Sequence, residues 1–168
     1  MLTLDLARLE REGTLEFGGT IPPDATLWSG SDLSLRGPVT VSGTARFAGS
    51  GEVLVDARIS GRLQQECRRC LSEVVTELEL DRLLVFGDSE EIGDGGEIRP
   101  MGVEATELEL GEAVREELIL ATDPFVLCSP DCLGLCPGCG IDQNRETCDC
   151  VLEERDPRWD ALRALKSE

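Results

Sequence analysis

The sequence contains no histidine, no tyrosine and a single lysine, Lys166. Without histidine the commonest general base and the commonest nitrogen ligand for metals are both missing. A His-dependent catalytic triad is therefore excluded, as is a His-ligated catalytic zinc. Aromatic side chains are scarce, with four Phe and two Trp, so any core must be mainly aliphatic. No stretch approaches the roughly 18 apolar residues of a membrane span. Met1 to Asp5 offers no positive n-region, so no secretory leader is expected. Basic residues are outnumbered, 16 against 34 acidic, for a net charge of -18. A bare nucleic-acid binder has the opposite balance, because phosphate contacts need Lys and Arg. An acidic surface suits basic partners, or serves solubility alone.

What the chain does have is eight cysteines. With no export signal a cytoplasmic location is expected, and the cytosol keeps thiols reduced. Metal binding is then favoured over disulfides.

Hydrophobic periodicity organises the rest. Leu2, Leu4 and Leu6 alternate, as do Leu15, Phe17, Gly19 and Ile21, before Pro22-Pro23-Asp24 breaks the run. Two short strands are expected there, the first able to turn helical toward Arg11. Over residues 33–47, Leu33, Leu35, Val39, Val41, Ala45 and Phe47 share one parity, the signature of a strand with one buried face. A turn at Gly49-Ser50-Gly51 leads into a second strand from Val53 to Leu63. A third carries Val74, Leu78, Leu80, Leu84 and Phe86 opposite Glu73, Glu77, Glu79 and Asp81. Cys67-Arg68-Arg69-Cys70 falls at the tip between these two strands. The N-terminal pair is expected to extend the meander.

Residues 87–105 read as a Gly-rich acidic loop, and residues 87–117 carry 11 acidic against 2 basic side chains. Residues 107–121 place Leu110, Val114, Leu118 and Ala121 at helical spacing. Glu112 lies near the start, where the helix dipole favours an acid. This stripe is expected to pack on the sheet. Asp123-Pro124 ends the helix. The tail, residues 156–168, has Trp159, Leu162 and Leu165 on one side, suited to docking on the core. The fold class expected is α+β: an antiparallel β-meander able to curl into a barrel, one main helix, and a Cys-rich zinc-binding C-terminal segment. Residues 1–121 would form the meander with its packing helix. Residues 122–168 would form the cysteine-rich segment and tail, packed on the same domain.

The C-terminal pattern is Cys128-x3-Cys132-x3-Cys136-x2-Cys139-x8-Cys148-x-Cys150. Four-coordinate zinc takes thiolates delivered in close pairs on tight turns. Cys136-Pro137-Gly138-Cys139-Gly140 is such a turn, and Cys148-Asp149-Cys150 supplies a second pair. Together they suit one tetrahedral site. The remaining Cys67, Cys70, Cys128 and Cys132 suit a second, tying the hairpin tip to the C-terminal segment. A single site using Cys67, Cys70 and two of the later cysteines is the rival arrangement. Zinc, one or two ions, is the expected cofactor. A closed four-thiolate site has no open position for substrate, so it is structural and no enzyme is expected. Arg58, Arg62, Arg68 and Arg69 form a candidate positive patch for RNA phosphates. The plain alternative is that they pair with Glu66, Glu73 or the acidic loop, or stabilise nearby thiolates.

Several stretches resemble one family when taken in order: Glu66-Cys67-Arg68-Arg69-Cys70-Leu71, the helix from Glu112 to Leu118, and Cys132-Leu133-Gly134-Leu135-Cys136-Pro137-Gly138-Cys139-Gly140. Asn144, Cys148-Asp149-Cys150 and Asp156-Pro157-Arg158-Trp159 complete the set. They resemble the YceD family of large ribosomal RNA subunit accumulation proteins, from about Leu33 onward. The resemblance implies a non-catalytic role in accumulation of large-subunit (23S) ribosomal RNA and in large-subunit biogenesis. The partner would be that RNA or a basic large-subunit ribosomal protein, with no membrane. Family members that keep the Cys-x2-Cys while lacking much of the second cysteine cluster imply that metal is not a universal feature. Two other readings of the residues stand beside it. One is a thiol redox sensor or zinc-dependent chaperone; the other is a hydrolase or nuclease built on a carboxylate site.

Overall fold

Alternation of apolar and polar residues builds most of the architecture. The computed structural model describes residues 2–49, 51–87, 98–102 and 105–151. Most of the acidic loop expected at 87–105, and the docking tail at 156–168, lie outside the described residues.

The elements run β1 (Thr3–Asp5), α1 (Leu6–Glu12), β2 (Thr14–Ile21), β3 (Val39–Phe47), β4 (Val53–Glu66), β5 (Glu73–Gly87), β6 (Ile98–Pro100), β7 (Glu107–Glu109) and α2 (Gly111–Ala121), with a short 3-10 turn at Thr26–Trp28. The main sheet has the order β2-β3-β4-β5-β6. Its first four strands form an antiparallel meander, and β6 joins β5 in parallel. The α+β expectation stands. The sheet is open, since β2 and β6 do not pair with each other among the described residues.

Of the odd-numbered residues of β3 and β4, Phe47 ends its strand exposed, but Val39, Val41, Ala45, Val53, Val55, Ala57 and Ile59 are buried. They share one core with Leu6 and Leu9 of α1 and with Ala113, Val114 and Leu118 of α2. The apolar stripe of α2 thus packs into the core, as its spacing predicts. Even-numbered residues face outward and pair across the surface, Arg58 with Asp81 at 2.9 Å and Arg46 with Asp56 at 3.8 Å. Gly43 sits opposite Ala57, and a Cβ there would overlap the carbonyl oxygen of Asp56. Only glycine lets β3 approach β4 this closely.

The N-terminal run forms β1 and then turns helical toward Arg11, as its pattern allows, and Asp5 caps α1 by accepting from the N–H of Arg8 at 2.8 Å. Three local expectations change. β1 does not join the meander but pairs with β7, Leu4 opposite Leu108. That pairing takes residues 107–109 out of the expected helix, which begins at Gly111. The strand expected from Leu33 starts only at Val39. Before it, a single bridge joins Leu35 to Leu63. Pro38 lacks the N–H that a ladder needs, and Gly37 takes a φ of 114°.

β4 and β5 are the longest strands, 14 and 15 residues. They project the loop at 67–72 beyond the main core. There a second, smaller buried cluster forms from Cys67, Cys70 and Cys132, with Val74, Leu127 and Leu135 packed against it.

Candidate metal centre

The sulfurs of Cys67, Cys70, Cys128 and Cys132 all lie within 4.8 Å of one another, and so do those of Cys136, Cys139, Cys148 and Cys150. The sulfurs are 3.8 Å apart for Cys67 and Cys132, 3.5 Å for Cys70 and Cys128, and 3.4 Å for Cys136 and Cys148. A disulfide would require about 2.05 Å. Four thiolates at ~2.3 Å from one tetrahedral ion stand about 3.8 Å apart, close to these separations. The donor set fits a thiophilic divalent ion, and two groups of four form rather than one.

Each group is built on a tight turn. In the hairpin loop the N–H of Cys67 donates to the carbonyl of Ser72 at 2.8 Å, and the N–H of Leu71 to the carbonyl of Cys67 at 2.9 Å. In the second group the N–H of Cys136 donates to the carbonyl of Ile141, and the N–H of Gly140 to that of Cys136, both at 2.8 Å. Folding back this way turns backbone N–H groups toward the first sulfur of each turn, as with Gly138 N–H 3.4 Å from Cys136 Sγ.

Those amides shape the acidity of the sulfurs. Burial pushes the Cys67 thiol up, but the N–H groups of Cys128, Cys70 and Arg69 outweigh it and bring it down to about 6. The N–H groups of Cys139 and Gly138 bring Cys136 to about 6 as well. The thiols of Cys70 and Cys132 push Cys128 up to about 12, and those of Cys139 and Cys148 push Cys150 to about 12. One sulfur in each group ionises readily while another resists, because like charges cannot crowd together without a cation. A bound zinc would supply that positive charge and deprotonate all four.

Other groups hold the ligands in place. Ser72 Oγ lies 3.0 Å from Cys70 Sγ. Asn144 Nδ2 donates to Cys132 Sγ at 3.4 Å. Arg69 Nη1 donates to the carbonyl of Cys132 at 2.8 Å, while its own carbonyl accepts from Leu135 at 3.0 Å. Ser72 carries a weak sequence signal, a hydroxyl two residues after a Cys-x2-Cys. No local pattern reveals that Asn144 reaches a cysteine of the other group.

The four arginines singled out from the sequence do not share one unengaged surface. Arg58 is nine residues from the tip, or about 30 Å along an extended strand, and is paired with Asp81. Arg62 lies on the same outward face of β4, opposite Glu77 in register. Arg68 stands over the Phe125 ring at 5.8 Å. Arg69 is held to Cys132. Glu73 pairs instead with Arg36.

Fold and site together define an α+β protein whose longest hairpin ends in one of two groups of four cysteines. Residues 55–166 match the family described as large ribosomal RNA subunit accumulation protein YceD, and the chain belongs to that family. The matched span contains all eight cysteines. An uncharacterized protein of Mycobacterium tuberculosis is 36% identical over 117 residues, covering 66% of this chain and 54% of the relative. An uncharacterized protein of Mycobacterium bovis matches with the same identity and coverage. The chain thus spans about half the length of these curated relatives, 54%. A chloroplastic homolog of the large ribosomal RNA subunit accumulation protein from Arabidopsis thaliana is 29% identical over 65 residues, 39% of this chain and 20% of the relative. No solved structure matches. No helix among the described residues is long and apolar enough to cross a membrane.

Proposed function

We infer that the chain is a non-catalytic factor in accumulation of large-subunit ribosomal RNA. It acts during assembly of the large subunit in the cytoplasm, with one structural zinc in each cysteine group. The observation that carries this reading is the pair of closed four-sulfur groups inside the span matched by the family. Four thiolates complete a tetrahedral ion and leave no position for substrate, so the metal would hold the C-terminal segment to the hairpin tip.

The direct partner is a basic protein of the large subunit. Net charge is -18, and two of the candidate RNA-binding arginines, Arg58 and Arg69, are engaged within the chain. A positive patch left clear for phosphates would have favoured RNA.

The test is purification of the tagged chain from its native cells at low salt, with and without nuclease, together with metal analysis. A basic ribosomal protein that survives nuclease supports the reading. Precursor RNA that nuclease removes would shift the contact to Arg68 and RNA. Enrichment of neither would overturn the ribosomal role. The second reading, a thiol sensor, draws on the exposure of Cys128, Cys139 and Cys150. Zinc release by peroxide with a change of oligomeric state would support it, and full protection of the thiols would remove it.

A further inference from the structure

The two cysteine groups are joined by more than their connecting chain. Cys132 of the first and Cys136 of the second are separated by Leu133-Gly134-Leu135 alone. This short linker is held from both sides. Leu135 N–H donates to the carbonyl of Arg69 in the first turn at 3.0 Å, and Gln143 N–H donates to the carbonyl of Gly134 at 2.9 Å. Gly134 has a φ of 80°, and a Cβ there would stand 3.0 Å from the Arg69 carbonyl oxygen.

Asn144 completes the connection. It belongs to the segment between Cys139 and Cys148, so both flanks of its loop are ligands of the second group. Its Oδ1 accepts from Leu133 N–H at 2.8 Å, and its Nδ2 donates to Cys132 Sγ at 3.4 Å. The same Nδ2 donates to Asp142 Oδ1 at 2.6 Å, and the Asn144 N–H donates to that oxygen at 3.0 Å. Both hydrogens of the amide are therefore committed, and its orientation is set. The side chain is supplied by one group and spent on a sulfur of the other.

We propose that the eight cysteines form one coupled two-metal centre, in which a divalent ion in the second group positions Asn144 on Cys132 and so raises the first group's affinity for its own ion. The inference rests on the metal reading above. An ion held by Cys136, Cys139, Cys148 and Cys150 closes the loop that carries Asn144 and removes the entropy of ordering it. An N–H donor on a coordinated sulfur offsets its excess negative charge and fixes its direction. Loss of such an outer partner typically costs about 10–100-fold in metal affinity. Coupling is reciprocal, so the first ion must strengthen the second group by the same factor. Asn144 is a positioning residue here, acting through Cys132.

Cadmium NMR under a competing chelator follows each group by its own signal, assigned with the Cys148→Ser/Cys150→Ser chain, which lacks the second group. Four full-length chains are compared: wild type, Asn144→Ala, Cys148→Ser/Cys150→Ser, and the combination. Asn144→Ala is expected to weaken the first group by about tenfold or more. Loss of the second group should weaken it by at least that factor, and adding Asn144→Ala to that chain should change nothing further. A first-group affinity within about twofold of wild type in Asn144→Ala overturns the coupling, as do losses that multiply in the combination. A wild-type chain that takes up fewer than two ions overturns the metal reading and the inference together. Circular dichroism on each chain guards against unfolding, since the main core shares no residue with these groups.

Discussion

Leu71 and Gly140 hold the same place in two copies of one turn. Each follows the second cysteine of a Cys-x2-Cys, and each has a positive φ, 60° and 77° respectively. Each donates its N–H to the carbonyl of the first cysteine. Glycine enters this left-handed region freely, whereas a leucine there costs roughly 1–2 kcal/mol. The hairpin turn therefore carries strain that the second turn avoids.

This yields a pair of substitutions of opposite sign. Leu71→Gly relieves the strain and, after the extra entropy glycine loses on folding, should stabilise by about 0.5–1 kcal/mol. Leu71 is 58% exposed, so little burial is given up. Gly140→Ala should destabilise by about 1 kcal/mol through conformation alone, because no atom lies within 4 Å of an added Cβ. Urea unfolding of the reduced, zinc-loaded protein measures both. A loss of stability in Leu71→Gly would contradict the assignment of strain.

Removing metal should loosen the end of the molecule that holds the cysteines and leave the sheet standing. The cluster around Cys67, Cys70 and Cys132 is separate from the core that unites β1–β5, β7, α1 and α2. A strong chelator with reductant is expected to expose residues 123–151 to limited proteolysis. The β-sheet signal in circular dichroism should change little. Collapse of that signal would mean the metal groups support the whole fold.

The metal-free, reduced chain should show a distinctive response to pH. Cys67 and Cys136 ionise near 6, below the ordinary thiol value of 9.0. Their contribution to stability is complete above 9.0 and is lost as pH falls toward 6. Cys128 and Cys150, raised to about 12, contribute below 9.0 and lose that contribution as pH rises toward 12. Thiolate absorbance should therefore rise in an early step near pH 6 in the folded chain, and that step should vanish in denaturant. An unsplit titration at the ordinary thiol value would remove the role assigned to the backbone amides.

Glu117 joins α2 to the sheet by accepting from Arg82 and from Arg99, both at 2.9 Å. Glu117 and Arg99 side chains are each only 13% exposed. Glu117→Ala leaves the half-buried Arg99 guanidinium with the longer Glu116 contact at 3.3 Å in place of two partners, and a loss of about 2 kcal/mol is expected. Chemical unfolding reads this out, and a change below about 0.5 kcal/mol would place the pair with ordinary surface ion pairs.

Much of this was legible along the chain. Val39, Val41, Val55 and Ile59 announce their buried face through a period of two, and Leu110, Val114 and Leu118 through helical spacing. The turn at Cys67 follows from the two strands on either side of it. The β1–β7 pairing was hidden, because Glu107-Leu108-Glu109 fits a helix start as well as a strand. Its partner Leu4 lies about a hundred residues away, and local propensity yields to long-range pairing.

The sequence by itself determined the chemistry available: thiol donors without imidazole, a surplus of acids, and strands and a helix with one apolar side. Those properties depend on residue type and on spacing of a few positions. Only the tertiary structure decided how the thiols divide. Spacing suggested two groups of four but left open one site shared between the hairpin tip and the later cysteines. It also grouped Arg58, Arg62, Arg68 and Arg69 as one candidate patch, of which the fold pairs Arg58 with Asp81 and ties Arg69 to Cys132. Cys67 meets Cys132 across 65 residues, and Asn144 reaches a sulfur of the neighbouring group. Such meetings depend on how β4 and β5 carry their loop to the C-terminal segment, and no local pattern encodes the closure of so long a loop.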